Sequence, residues 1–211
     1  MSAVHPGKQV LNSVHGRLIF QRRVEALADA LAAAIPPGPG RVLDLGCGDG
    51  QVAVAVMRRR PELTIEGVDV LIRPVTHIPV TLYDGAVLPF ADGSFDHVTI
   101  VDVLHHTDGP AAVLTEAARV AGQSVVIKDH LREGFLAGPV LRLMDWVGNR
   151  GHDVRLPYNY LDGEEWQDAF ARAGLVELAR QDKLGLYPVP LSWAFERRLH
   201  FVTRLGHRNR T

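Results

Sequence analysis

The sequence predicts an α/β domain built on a doubly wound, mostly parallel sheet. Three observations carry this reading. Short apolar runs without helical period alternate along residues 17–130 with segments whose apolar positions recur every three to four residues. Several of the runs end in an acid or a glycine turn, the punctuation of strands that feed loops at one edge of a sheet. At 211 residues the chain suits a single domain with a sizeable core. Strands alternating with helices indicate βαβ units with helices on both faces.

The first element is an amphipathic helix from Arg17 to Ile35, with Leu18, Ile19, Val24, Leu27, Ala28, Leu31 and Ile35 on one stripe, stopped by Pro36, Pro37, Gly38, Pro39 and Gly40. RVLDL, from Arg41 to Leu45, is a buried strand, and VAVAVMRRR after the glycine turn is a helix ending before Pro61. LTIEGVDV, Leu63 to Val70, is a second strand. Two more are expected at Ile78–Tyr83 and Phe95–Val101, separated by Asp92, Gly93 and Ser94. Pro110–Val120 is a helix with Asp108 as its expected cap, and SVVIKD, Ser124–Asp129, is a fifth strand. Between Val70 and Thr81, Arg73, Pro74 and Pro79 leave no clear helix. The last third reads as helices near Phe135–Val147 and Gly163–Ala173, then strands near Leu175–Arg180 and Arg198–Leu205.

Composition narrows the function. The formal charge of −1 gives no electrostatic footprint for a phosphate backbone, so nucleic acid is not expected as a partner. One cysteine makes no intrachain disulfide, which favours a reducing, cytoplasmic compartment. MSAVHPGKQVLNSVHGRLIF has no signal-peptide h-region, and no stretch approaches the roughly 20 apolar residues of a membrane span. All three Trp, with Tyr158, Tyr160 and Tyr187, lie in the last third.

The densest motif is VLDLGCGDG, residues 42–50. A strand running into Gly46, Gly48 and Gly50 turns sharply and lets backbone approach a ligand, because glycine takes positive φ and carries no Cβ. It lies where open α/β sheets bind ligands, at a strand's carboxyl end. The dinucleotide fingerprint wants a third glycine where this chain has Gln51, so a diphosphate is disfavoured. Asp44 and Asp49 suit a cationic ligand instead. Asp69 ends the second strand, where an acid accepts ribose hydroxyls, and Asp84 and Asp102 follow the third and fourth strands.

With these motifs the chain resembles the class I S-adenosylmethionine-dependent methyltransferases, of the small-molecule, type 11-like branch. VLDLGCGDG matches the family's first motif and Asp69 its ribose acid. DGAVLPFADGSFD and VDVLHHTDGPAAVLTEAARV resemble the segments that follow, and the likeness spans roughly residues 40–130. The resemblance implies a Rossmann-like seven-stranded sheet closed by an antiparallel C-terminal hairpin. It implies S-adenosylmethionine as cofactor and S-adenosylhomocysteine as product. Gly46, Cys47, Gly48 and Gly50, with Asp44, would surround the methionine part, Asp69 the ribose, Val70 the adenine face, and Asp84 with Gly85 the adenine edge. Asp102 would lie near the methionine amino group. The cofactor is a sulfonium with an excellent leaving group, so alignment and desolvation of the nucleophile are what the protein must supply. The domain then divides into an N-terminal helical cap (1–40), a cofactor-binding core (41–130), acceptor-binding helices and flap (131–173), and a C-terminal hairpin and tail (174–211).

The acceptor is expected in the third of these parts, contacted by Trp146, Asn149, His152, Tyr158 and Tyr160, with GNRGHD and RLPYNY as a flap. The aromatic pair Trp146 and Trp166 shares the stretch; Leu141, Met144, Trp146 and Val147 equally suit a core-facing stripe. His130, at the end of the fifth strand, is the leading candidate for a general base and His105 the second; His106 reads as packing, and His15 precedes a helix that could close over the cofactor. Asp102 and Asp129 with Asn149 raise a divalent metal of the catechol-methyltransferase kind, but His130 stands where that pattern has Asn, so no metal is expected. Cys47, without a partner base, reads as structural. From Glu196 onward five arginines face one acid, a solvated strand and tail. The chain is expected as a monomer or homodimer acting on a small organic metabolite. The alternatives are a dinucleotide oxidoreductase of the NAD type, and a catalytically silent module that binds the cofactor and supports a partner.

Overall fold

A computed structural model describes residues 6–134, 137–148, 159–187, 189 and 199–208, with the side chains of 6–19 and 143–148 left aside. The elements in chain order are α1 (Pro6–Ala34), β1 (Gly40–Leu45), α2 (Gln51–Arg59), β2 (Leu63–Asp69), β3 (Val80–Leu82), β4 (Phe95–Val101), α3 (Pro110–Val120), β5 (Ala121–His130), α4 (Ala137–Gly148), α5 (Gly163–Arg172), β6 (Leu175–Gln181) and β7 (His200–His207). A 3₁₀ turn, Leu104–His106, lies between β4 and α3.

The strands form one seven-stranded sheet in the order β3-β2-β1-β4-β5-β7-β6. The first five are parallel and β7 is antiparallel to both β5 and β6, the mixed Rossmann-like sheet expected from the sequence. Because side chains alternate along a strand, successive apolar residues serve opposite faces. Val42 and Val126 pack with Leu27, Leu31, Ala53 and Val56 of α1 and α2. Leu43, Leu45, Val125 and Ile127 pack with Leu114, Ala117, Trp166 and Phe170 of α3 and α5. This explains why the strands read as continuous apolar runs: both faces are covered.

Differences from the sequence expectation have local causes. The first helix begins at Pro6 rather than near Arg17; proline is favoured in a first helical turn, where its missing N–H has no partner to lose. β3 shrinks to three residues behind Pro79, which cannot donate to a ladder, although its carbonyl accepts from Gly67 N at 2.8 Å. β5 runs from Ala121 to His130, so His130 is a strand residue paired with His200 of β7. Asp108 is not the cap of α3: Gly109 is, with Pro110 in the first turn and no side-chain cap bond. α5 has the full capping box, in which Asp162 accepts from Glu165 N and Glu165 accepts from Asp162 N.

Candidate active site

The sheet order reverses between β1 and β4, and the predicted cofactor residues gather at the carboxyl ends of the strands there, the place where open α/β sheets bind ligands. Gly46, Gly48 and Gly50 all adopt positive φ, of 74, 58 and 80°. A Cβ on Gly46 would lie 2.3 Å from Val103, and one on Gly50 would lie 2.5 Å from Ile78, so these two glycines are demanded by close packing. A Cβ on Gly48 would meet nothing, so the loop turns this one residue toward open space.

Asp69 is buried at the end of β2. Its Oδ2 accepts from Gly48 N at 2.9 Å and its Oδ1 from Leu71 N at 3.0 Å. A carboxylate has about four acceptor positions, so two remain for a diol while the other two hold the loop in place. Val70, Leu71 and Ile72, next along the chain, are exposed apolar residues. Gly85 fits against this patch closely, since a Cβ there would lie 3.3 Å from Val70 Cγ1. Asp84 Oδ1 accepts from Ala86 N and Val87 N, which fixes the turn and leaves the exposed carboxylate beside Gly85. Val70 and Gly85 thus form one apolar surface with the Asp84 carboxylate at its edge and Asp69 next along the chain.

Asp44 is buried one strand inward and accepts from Thr99 Oγ1 at 2.8 Å. Burial, opposed by that hydrogen bond and reinforced by Asp69, pushes its carboxyl up to about 6. The Cys47 thiol faces β2: a Cβ on Gly67 would lie 2.3 Å from its Sγ. Burial with Asp44 and Asp69 nearby pushes the thiol up to about 12, so it stays protonated, in line with its structural reading.

Asp102 directly follows β4, as expected. It has a φ of 57°, the one positive φ outside glycine among the described residues, a backbone state that costs on the order of 1–3 kcal/mol. Its Oδ2 accepts from Arg23 of α1 at 2.6 Å and its Oδ1 from Lys128 Nζ. Its charge is therefore matched within the protein rather than turned wholly to a cofactor amine. Burial works against the ionised form, but Lys128 and Arg23 outweigh it and hold the carboxyl well below the usual range.

Beyond Asp102 the ends of β4 and β5 bring together the two predicted histidines. His105 Nδ1 lies 2.6 Å from Asp129 Oδ1 and 3.3 Å from His130 Nδ1, all three residues being buried. Asp129 is oriented by Leu104 N at 3.0 Å and His130 N at 2.7 Å. Burial would raise its carboxyl, yet His105 and His130 hold it below the usual value. Burial, aided by Lys128, pushes the His130 imidazole down to about 4 and so keeps it neutral. Tyr160 stacks on His105 at 5.7 Å and meets His130 edge-on at 5.8 Å, which places one predicted acceptor residue against both histidines. Asn159 holds that segment there, donating its N to His105 O and its Nδ2 to Thr107 O.

Asn149, His152 and Tyr158 lie outside the described residues, as does the side chain of Trp146, whose backbone is in α4. Trp166 is a core residue: it is buried between Phe170 and Phe201 and donates its indole N–H to His130 O at 3.0 Å. Sequence reasoning missed Arg23, Lys128 and His200. A lysine closing the apolar run SVVIKD was a usable signal, because a buried ammonium needs a carboxylate nearby. His200 reaches His130 only through the antiparallel β5–β7 register, for which the sequence has no mark.

Known proteins resemble this chain in sequence and in fold. A family described as a methyltransferase domain matches residues 19–179. A demethylmenaquinone methyltransferase of Roseiflexus sp. is 32% identical over 157 residues, 69% of this chain and 63% of that protein. A ubiquinone/menaquinone biosynthesis C-methyltransferase of Desulfotalea psychrophila is 29% identical over 54% of each chain. A 27-O-demethylrifamycin SV methyltransferase of Amycolatopsis mediterranei is 32% identical over 44% of this chain and 39% of its own. The chain thus spans between two-fifths and two-thirds of these relatives' lengths. Among solved structures, a methyltransferase of Haloferax volcanii in complex with the Trm112 activator has the same fold, with a TM-score of 0.69 and 17% identity over 98% of this chain and 99% of that one. Among the described residues no helix is long and apolar enough to cross a membrane. The glycine loop at β1, the acid at the end of β2 and the match over residues 19–179 agree, and the chain belongs to the class I S-adenosylmethionine-dependent methyltransferases, in the type 11 branch.

Proposed function

We propose that this chain transfers the methyl group of S-adenosylmethionine to an O, N or C atom of a small, partly apolar organic acceptor, leaving S-adenosylhomocysteine. The observation that carries the proposal is the gathering of two chemically distinct groups of residues at one edge of the sheet, the carboxyl ends of its parallel strands. The group at β1 and β2 has Gly48 open to a ligand, Asp69 for a diol and the Val70–Gly85 surface for a purine. The group at β4 and β5 has the neutral His130 beside His105, Asp129 and Tyr160. The cofactor supplies an activated methyl, so the protein's part is to align the acceptor and take up its proton. A neutral imidazole accepts a proton, and Asp129 stabilises the cation that results; His130 is the proposed base, His105 its neighbour in that role. Tyr160 lines the acceptor side, and Trp146, Asn149, His152 and Tyr158 are proposed to complete it. The relatives named for quinone and rifamycin substrates support a small, partly apolar acceptor. The proposed setting is cytoplasmic, with the chain alone or as a homodimer.

Calorimetry with S-adenosylmethionine tests the cofactor half. The expected result is binding by the wild-type chain, at least about 10-fold weaker for Asp69→Ala, the loss of one charge-assisted contact. Absence of binding, or full binding by the variant, overturns the assignment. Incubation with candidate acceptors tests the rest: a product heavier by one methylene is expected, while a chain that binds the cofactor and consumes none is a silent module.

A further inference from the structure

The four acid and imidazole side chains at the ends of β4 and β5 form one close cluster. Asp102, His105, Asp129 and His130 each offer one ligand atom, and these atoms lie within 4.8 Å of one another. Proton bookkeeping shows the oddity. His105 Nδ1 has its short bond to Asp129 Oδ1, which commits the proton between them. His130 Nδ1 then faces His105 Nδ1 at 3.3 Å, Asp129 Oδ1 at 3.4 Å and Asp102 Oδ1 at 3.8 Å. The two carboxylate distances exceed the roughly 2.9–3.0 Å of a good hydrogen bond, and the nitrogen it meets already shares its proton elsewhere. His130 Nδ1 thus meets three ligand-type atoms, through one long hydrogen bond to His105 Nδ1 and two wider approaches to carboxylate oxygens.

A cation satisfies all of them at once. The circle through His105 Nδ1, His130 Nδ1 and Asp129 Oδ1 has a radius of about 1.8 Å, so a point about 2.0 Å from each exists just off their plane, the bond length zinc makes to imidazole nitrogen and carboxylate oxygen. The carboxylate is already oriented by Leu104 N and His130 N, the outer support that metal-ligating carboxylates ordinarily have. Lys128, the adjacent ammonium, bonds Asp102 and not Asp129. Two imidazoles and a carboxylate select a borderline transition ion rather than magnesium, which takes oxygen ligands.

We propose that His105, His130 and Asp129 bind a divalent transition ion of the zinc class, with Asp102 as the outer carboxylate beside it. On binding, the proton leaves His105 Nδ1, moving to Nε2 of a neutral ring or to solvent from an imidazolium, and the freed Nδ1 lone pair goes to the ion. Three protein ligands leave a further position for water or for an oxygen of the acceptor; with its Nδ1 on the ion His130 no longer serves as the base, a role that belongs to the ion-free site. The acceptor's place on the ion rests on the methyl-transfer reading; the binding of the ion does not. It reverses the sequence expectation of no metal, which looked for Asn where this chain has His130.

The test uses the full chain, stripped with a chelator and titrated with zinc chloride by calorimetry, with X-ray absorption on the zinc-loaded sample. One ion per chain is expected, with two imidazole nitrogens in its first shell and no comparable binding of magnesium. His130→Asn and Asp129→Asn should each weaken zinc by about 100-fold or more, since even outer-shell partners are worth 10- to 100-fold. Should those variants fail to fold, ¹⁵N-histidine NMR of the wild type decides. Zinc must then move the signals of His105 and His130 and leave His97, bonded to Ser124, and His207, bonded to Ala121 O, in place. No zinc uptake by the wild type, a first shell without imidazole, or unmoved His105 and His130 signals overturns the site. S-adenosylmethionine calorimetry on the same samples separates that failure from failure of the methyltransferase reading.

Discussion

Asp44→Asn offers a direct measure of what the buried acid at the glycine loop costs the fold. The rise of the carboxyl from 3.8 to about 6 is worth about 3 kcal/mol at 1.36 kcal/mol per unit. The native pKa lies above the unfolded one, so this stability is fully present below the unfolded pKa and is lost as pH rises through about 6. Linkage over a practical range, from about pH 4.5 to about pH 7.5, gives a loss of about 2 kcal/mol from this group. Asn keeps an oxygen for the Thr99 hydroxyl and does not titrate. Urea unfolding of both proteins at the two pH values isolates the effect, because every other titrating group cancels in the difference. Relative to wild type, Asp44→Asn should gain about 2 kcal/mol between the lower and the higher pH, roughly 1 M in midpoint for an m-value near 2 kcal/mol/M. A difference that stays constant with pH within about 0.5 kcal/mol refutes the claim that Asp44 is buried without a compensating cation.

Two further substitutions separate roles within the site. Gly46→Ala should destabilise by about 2–4 kcal/mol in thermal or urea unfolding, combining left-handed strain with the Val103 overlap, whereas Gly48→Ala should cost only about 1–2 kcal/mol while weakening cofactor binding. Equal losses of stability for the two would contradict the proposal of Gly48 as the approach point. Trp166→Phe should keep most of the packing against Phe170 and Phe201 but leave His130 O without its donor, for a loss of about 1–3 kcal/mol in urea unfolding and little change in cofactor affinity. An unaltered stability would mean that the carbonyl finds another donor.

The cofactor half of the site was legible along the chain because it is made of local features. Strand, glycine turn and strand-end acid are fixed by neighbours in sequence, and the parallel topology then sets the candidates Gly48, Asp69 and Gly85 at one edge of the sheet. Element identities were legible for the same reason: burial of both sheet faces writes continuous apolar runs, and amphipathic helices write a three-to-four period. Boundaries at Pro6 and Gly109 were less so, since caps and first turns depend on backbone geometry more than on pattern. The acceptor half was only partly legible. Aromatic clustering does not say which way a ring points: Tyr160 meets His105 and His130, whereas α5 turns Trp166 into the core.

What the sequence by itself determined is the family, the fold and the candidate cofactor residues, since a few contiguous motifs in fixed order suffice to build that surface. The tertiary structure alone decided the fate of the charges. Asp102 is matched by Arg23 and Lys128, which are 79 and 26 residues away. His200 comes beside His130 through strand register. The convergence of His105, His130 and Asp129 depends on β4 and β5 lying side by side, a pairing made across the sheet and not along the chain. Electrostatic matching acts through space over a few ångströms, so it is written in the packing of strands and not in the spacing of residues.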